Sequence, residues 1–215
     1  MKSLCISASN MIGVKSEEST SYQICEIAKN CLQDKYKNET HSILELKNYH
    51  LLPCVGCGKC WSSHRCVLDD DFNDIYLQII GSDFLLLVSP HYAPIPAKLV
   101  ALLEKMEQVT FLRWGADNSY KSEIYNKPTG VISHGGGAEW ALKNYKLMVN
   151  DTIANALDTI QLKLIPFNDE WNTGISLPVN NACFSDNSIF PTQSYDWANL
   201  ASLISDYMDV IIQNV

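Results

Sequence analysis

The sequence predicts a doubly wound α/β domain on three observations. Strand-like runs alternate five times with helical stripes, one of those runs is apolar throughout, and the length suits a single core. At 215 residues with 47% hydrophobic and 19% charged side chains, the chain has the profile of a soluble globular protein and enough mass for one well-filled core. One domain over residues 1 to 215 is the expectation.

The first run, SLCIS (3 to 7), is short, apolar and β-compatible, and it ends in a hydroxyl-rich loop. Ile24, Ile27, Ala28, Cys31 and Leu32 then repeat at helical spacing. HSILEL (41 to 46) reads as a second strand, and a cysteine-rich insertion (53 to 68) follows it. Phe72, Ile75, Tyr76, Ile79 and Ile80 mark the next helix. DFLLLVSP (83 to 90) is a continuous apolar run of the kind buried on both faces of a parallel sheet. Leu99, Leu102, Leu103, Met106 and Val109 carry a further helical stripe, PTGVISHGGG (128 to 137) is a strand running into glycines, and AEWALKNYKLMVNDTIANAL is a helix. DTIQLKLIPF (158 to 167) is expected as the fifth strand, and Leu200, Leu203, Ile204, Tyr207 and Ile211 share one face of the closing helix. Strict alternation requires crossovers onto a parallel sheet. The stretch from 168 to 195 shows no period and is long for a connector in a compact domain, which predicts a functional or interface role.

The formal charge of -8, from 16 Lys+Arg against 24 Asp+Glu, argues against nucleic acid and anionic membrane surfaces as partners. No apolar stretch reaches the length of a membrane span, and MKSLCISASN opens on an apolar run without a basic leader. A cytoplasmic protein is expected, where thiols stay reduced and clustered cysteines point to metal or redox chemistry rather than a structural disulfide.

In doubly wound sheets, ligands sit beyond the carboxyl ends of the strands, where the winding reverses. Three loops leave that edge. SASNMIGVKSEESTSYQ offers Ser7, Ser9, Ser16, Ser19, Thr20 and Ser21 before a helix. Hydroxyls and free N–H groups at a helix N-terminus suit a phosphate, while helix capping by one of them is the plain alternative. Neither G-x-G-x-x-G nor G-x-x-x-x-G-K-[ST] is present, which disfavours a Rossmann dinucleotide site or a P-loop. SPHYAPIP has three prolines that fix its backbone and a tyrosine able to lie on a flat ring, or it is a stiff connector. SHGGGAEW has three glycines that would let the backbone approach a planar ligand, or simply make a tight turn. A hydroxyl-rich phosphate cradle beside two loops shaped for a ring is what FMN requires.

SASN…STS, SPHYAP, SHGGG and above all PCVGCGKCWSSHRCVLDDDF resemble the flavodoxin-fold NADPH-dependent FMN reductase family, in its iron-sulfur flavoprotein branch. The resemblance spans about residues 1 to 165. It implies a three-layer flavodoxin-like sandwich with a five-stranded parallel sheet, non-covalent FMN, a 4Fe-4S cluster near the flavin, NAD(P)H as a candidate donor, and a homo-oligomer with the flavin near a subunit boundary. By matching position, Ser9, Ser19, Thr20 and Ser21 would hold the phosphate; Pro90, His91, Tyr92 and Ala93 would line the ribityl chain and ring; and Ser133, His134, Gly135 and Gly136 would reach the isoalloxazine. The first loop departs from the pattern, being longer and acidic where family members commonly carry Arg, Gly or Asn.

Cys54, Cys57, Cys60 and Cys66 are separated by two, two and five residues. The first three suit three corners of a cubane, and the five-residue spacer can return the fourth. Zinc competes, although its usual knuckles lie farther apart, and free thiols remain a third reading. Cys5, Cys25 and Cys31 read as small core residues, and Cys183 is unassigned. Asp69 to Asp71 are expected to favour the start of the following helix. The function expected is FMN-dependent electron transfer with no acid-base catalytic side chain, His91, Tyr92 and His134 tuning the ring, and a small ferredoxin-type protein or small molecule as partner.

Overall fold

The computed structural model describes residues 1–182 and 193–215. Its parallel sheet runs in the order β2-β1-β3-β4-β5. The strands are β1 (Lys2–Ser7), β2 (Thr40–Glu45), β3 (Phe84–Pro90), β4 (Pro128–His134) and β5 (Lys163–Leu164), and β6 (Ile175–Leu177) also pairs with β4. β7 (Asn181–Ala182) and β8 (Gln193–Ser194) form a separate antiparallel pair.

The period-two alternation of each strand builds the three layers. Leu4, Ile6, Leu85, Leu87 and Val131 pack into one core with α3 (Phe72–Ile80), α4 (Ala97–Ala116) and α6 (Asp151–Thr159). Cys5, Phe84, Leu86, Val88 and Ile132 point the other way, against α1 (Thr20–Lys35) and α7 (Trp197–Ile212). Every residue of β3 and β4 is buried, as the continuous apolar run of β3 predicts. The chain winds outward from β1 to β2, then crosses back to β3. The switch point therefore lies between β1 and β3, at their carboxyl ends.

The fifth strand corrects the expectation for 158 to 167. Residues through Thr159 stay helical, Ile160 is buried in the core, and Gln161 turns the chain at φ +65°. Only Lys163–Leu164 pair with Pro128–Thr129 before the chain leaves the sheet; it returns as Ile175–Leu177 beside Ile132–His134. One strand position is thus filled twice, and the stretch from 168 to 195, read as a connector without a period, contributes β6. Tyr207 of α7 anchors the crossing, accepting a hydrogen bond from Val131 N at 3.1 Å and donating to Ile165 O at 2.6 Å.

The helix expected over 138 to 157 is likewise composite: a 3-10 turn (Glu139–Ala141), α5 (Leu142–Tyr145), a π segment (Lys146–Asn150) and α6. The π turn brings Asn150 inside, where its side-chain amide donates to Ile175 O at 3.1 Å and holds the start of β6. No helix among the described residues is long and apolar enough to cross a membrane.

Candidate functional site

All three predicted loops leave the same edge of the sheet, from the carboxyl ends of the adjacent strands β1, β3 and β4. The first is tied down from beside: Lys47 Nζ donates to Val14 O at 2.8 Å, and Ser16 Oγ donates to Glu45 Oε1 at 2.6 Å. Glu17 and Glu18 occupy a 3-10 turn and are exposed, so the acidic pair does not line the cradle. Ser19 stands at the N-cap of α1, yet its side chain makes no capping bond. A helix begins with unpaired N–H groups, and at this start both Ser19 and Ser21 are buried, at 4% and 1% exposure. The plain capping alternative therefore does not hold for Ser19. Unpaired N–H groups and the helix dipole favour negative charge at such a start.

Two more polar atoms lack partners here. Ser21 Oγ and His134 Nε2 lie 2.7 Å apart, joining α1 to the end of β4 across the switch region, and whichever atom donates, His134 Nδ1 is buried with no hydrogen bond. Asn10 Oδ1 is also buried and unpaired. Buried polar atoms are ordinarily satisfied, and these two lie at the edge from which the three loops leave. Ser9 is buried and accepts from Met11 N at 3.3 Å, holding the loop's turn.

Burial keeps His134 neutral, pushing its pKa down to about 3. An unfolded histidine takes a proton near pH 6.5. Between those values the unfolded chain binds more protons, so stability falls as pH drops, by on the order of 1.4 kcal/mol per unit. Urea midpoints measured from pH 7 to pH 4 should fall less steeply in His134→Gln than in the wild type; parallel slopes would contradict a buried neutral imidazole.

The second and third loops form the wall beside the cradle. His91 N donates to His134 O at 2.9 Å, extending the β3–β4 ladder, and the His91 ring lies 5.5 Å from that of Tyr145. Tyr92 is 40% exposed, with its N–H donated to Pro94 O at 2.8 Å; Ala93 is exposed, and Pro90 is buried at the strand end. Ser133 is buried and its hydroxyl is 2.7 Å from that of Ser176 on β6, so it braces the edge strand.

Two of the three glycines have a reason the sequence did not disclose. A Cβ on Gly135 would lie 2.6 Å from the Tyr145 ring, and one on Gly137 would lie 2.4 Å from Ala141 Cβ. The Tyr145 hydroxyl accepts from Gly137 N at 2.6 Å. Close approach is required, but by the protein's own tyrosine. Gly136 is exposed between them.

Cys54, Cys57, Cys60 and Cys66 line a single cavity against α4, with Lys105, Gln108 and Val109 as its far wall. The loop that carries them turns twice in the left-handed region, at Gly56 (φ +63°) and Gly58 (φ +66°), and α2 (Cys60–Ser63) ends on His64 at φ +61°. Cys60 Sγ is 3.7 Å from Gln108 O, and burial followed by the neighbouring sulfurs raises its pKa, against its own backbone hydrogen bond. Among the described residues, no three cysteine, histidine or carboxylate side chains converge closely enough to share one metal ion. The donor set is thus four sulfurs around one cavity.

The loop's base is held by the aspartates that sequence reasoning assigned to the helix start. Asp70 Oδ1 accepts from Phe72 N at 3.2 Å, the predicted role; its Oδ2 accepts from Leu52 N at 2.8 Å and pairs with Lys105. Asp71 Oδ2 accepts from His50 N at 2.6 Å. Lys98 adds a clamp, donating to Tyr49 O at 2.7 Å and Lys47 O at 2.8 Å.

The two centres are neighbours. Asn10, Tyr92, Ala93 and Ile95 line an open groove whose other side is Pro53, Val100 and Glu104, and Glu104 Oε2 accepts from Cys54 N at 3.4 Å. Sequence reasoning did not single out Asn10, Lys105, Tyr145 or Glu104. Of these, Lys105 and Tyr145 sit in helical stripes among apolar residues, and only that placement could have drawn notice. Cys183 lies outside the described residues, as do residues 184 to 192 of the stretch from 168 to 195. Trp61, Trp114 and Trp140 are exposed, Trp114 with its ring 5.7 Å from that of Phe111.

A five-position parallel sheet in the order 2-1-3-4-5, packed by helices on both faces, defines a flavodoxin-like α/β protein. The family model for NADPH-dependent FMN reductases matches residues 1–161, and the chain belongs to that family. It is 34% identical over 68 residues to an iron-sulfur flavoprotein of Methanosarcina thermophila, a match covering 31% of this chain and 35% of that protein's length. Among solved structures, it resembles the flavoenzyme NAD(P)H:acceptor oxidoreductase FerB of Paracoccus denitrificans (TM-score 0.56, 14% identity, covering 100% of this chain and 99% of that one). It also resembles oxidised flavodoxin 1 of Bacillus cereus (TM-score 0.52, 10% identity, covering 100% and 99%).

Proposed function

We propose that the protein binds FMN without a covalent bond at the edge formed by β1, β3 and β4, and works as an FMN-dependent oxidoreductase whose cysteine loop holds a 4Fe-4S cluster. The observation that carries the flavin reading is the buried, uncapped start of α1 with unpaired His134 Nδ1 and Asn10 Oδ1 beside it, in a chain of the FMN reductase family. Ser9, Ser19, Thr20 and Ser21 would hold the phosphate, and His91, Tyr92, Ala93, His134, Gly135 and Gly136 would border the ribityl chain and ring.

Bound flavin would supply hydride and single-electron chemistry, and a bound cluster single-electron transfer. The chain's part is to bind, orient and shield. His134, kept neutral, offers a polar atom without adding charge beside a dianion. His91 and Tyr145 stiffen the wall of the ring site, and no side chain is needed as an acid or base. NAD(P)H suits the family as donor, with a ferredoxin-type protein or a small molecule as acceptor. Exposed Val55, Trp61, Tyr92 and Trp140 around this edge support a homo-oligomer that covers them.

A second reading keeps the flavin and leaves the thiols without a cluster, as an NAD(P)H-dependent flavin or quinone reductase. It is favoured by the lack of a shared metal centre among the described residues. Anaerobic purification with iron and acid-labile sulfide assays, and spectra before and after dithionite, separates the two. The cluster reading expects FMN with about four irons and about four sulfides per chain. FMN without either supports the second reading, and a preparation that neither contains nor binds flavin defeats both.

A further inference from the structure

A second cleft lies at the edge of the sheet opposite the three loops. Asn126 stands two residues before β4 and Gln161 two before β5, and with Phe111, Trp114, Tyr125 and Asp158 they line a space of about 370 Å³. That volume falls within the range of small-molecule sites. Phe111, Trp114 and Tyr125 are 40%, 43% and 47% exposed, and three such rings in one cleft form a patch rather than scattered surface residues.

The floor of the cleft is built by strained backbone. Asn126 (φ +59°) and Gln161 (φ +65°) are two of the four non-glycine residues with positive φ among the described residues, and Asn126 N donates to Gln161 O at 2.7 Å. The Gln161 side chain locks the loop that carries Tyr125: its Oε1 accepts from Ser122 N at 2.9 Å, and its Nε2 donates to Tyr120 O at 2.9 Å. Backbone held in such conformations collects at functional sites.

The charge of the cleft is negative. α4 and α6 both end at it, with Trp114 and Asp158 in their last turns, and a helix C-terminus carries partial negative charge. Asp158 adds a full charge where a carboxylate is unfavourable, and no basic residue in the last turn of α6 offsets it. Among the described residues, Asp158 is the one ionised side chain that lines the cleft, and its carboxylate has no hydrogen-bond or ion-pair partner there. The neighbouring cations are occupied: Arg113 Nη1 donates to the Tyr120 hydroxyl at 3.0 Å, and the Lys121 ammonium lies 4.8 Å from the centroid of the Tyr125 ring. That second contact is the attraction of a cation to an aromatic face, made here by the chain itself.

We infer that this cleft is a binding site, separate from the flavin edge, for a small flat aromatic molecule that carries a positive charge. Its ring would lie against Trp114 and Phe111, and its charge would face Asp158. The competing roles are rings that only pack on one another, and a face that a second copy of the chain covers.

Three probes share one ring system and differ in charge: 2-naphthylmethylammonium, 2-naphthylmethanol and 2-naphthoate. Each is titrated into the full-length protein while the tryptophan indole N–H resonances are followed, the one missing from Trp114→Ala being that of Trp114. The ammonium should bind tightest and the carboxylate weakest, with the Trp114 resonance shifting. Asp158→Asn should weaken the ammonium by about twofold to fivefold, the range for an exposed ion pair, and leave the alcohol unchanged. Trp114→Ala should weaken the ammonium by about tenfold. Both positions are exposed, so the variants should melt with the wild type. Equal affinity for the three probes, an Asp158→Asn variant that binds the ammonium as the wild type does, or no saturable shift at Trp114 would each overturn the inference. Self-association that Trp114→Ala abolishes, without probe binding, would overturn it in favour of an interface between copies.

Discussion

Asp70→Ala should destabilise the protein by about 3–5 kcal/mol, the usual cost of stranding one member of a buried ion pair. The Lys105 side chain is 1% exposed and that of Asp70 is fully buried, so water cannot replace the lost partner. Two backbone donors, Leu52 N and Phe72 N, lose their acceptor in the same step. For a chain of this size the melting temperature should fall by roughly 10 °C. Asp70→Ala combined with Lys105→Met should recover a good part of that loss, because the stranded ammonium goes with it. A double variant no more stable than Asp70→Ala would show that the pair is not the origin of the effect.

The same pair has a pH signature. Burial disfavours the charged carboxyl of Asp70, but hydrogen bonds from Lys105, Leu52 N and Phe72 N outweigh it and hold its pKa below the usual range. Its stabilisation is therefore complete above the pH where an unfolded aspartate ionises, about 4, and is lost as pH falls through the lower native value. Because Leu52 leads directly into the cysteine loop, the four sulfurs should also become more reactive in Asp70→Ala, which thiol titration of the folded protein at neutral pH would register.

Gly174→Ala should be of similar size, about 3 kcal/mol or more. The residue sits at φ +105°, and a Cβ there would lie 2.1 Å from the carbonyl oxygen of Val131, a backbone atom of β4. Strain of about 1–2 kcal/mol in the left-handed half of the map adds to overpacking of about 1–3 kcal/mol. The chain can relieve it only by pulling β6 from β4, which removes the Ser133–Ser176 contact and disturbs Val179, whose N–H holds Gly137 O at 3.1 Å. Loss of stability should thus come with weaker FMN binding. A variant as stable as wild type would mean that β6 is not held at this distance.

What the sequence disclosed follows from which forces are local. The apolar run of β3 and the helical stripes of α1, α3, α4 and α7 report burial, and burial has a period. The three loops were legible because a parallel sheet places every strand's carboxyl end on one edge. The fifth strand was misplaced because Ile160, Leu162 and Leu164 alternate like a strand, although Ile160 ends a helix and only Gln161, at φ +65°, breaks the run. β6 was invisible as three residues in a stretch without pattern. Ser21 and His134 were both singled out, but the bond between residues 113 apart was not, since nothing local records it. The glycines were noticed for a ligand when Tyr145 and Ala141 explain two of them, and Asp70 for a helix cap when it also anchors the cysteine loop.

Amide hydrogen exchange of the full-length protein with and without FMN tests the central claim most directly. Slower exchange should be confined to the N–H groups of 19 to 22, 91 to 93 and 134 to 137, the three loops at the ends of β1, β3 and β4. Protection absent from the start of α1, or concentrated at the opposite end of the sheet, would contradict the assignment of this edge as the flavin site.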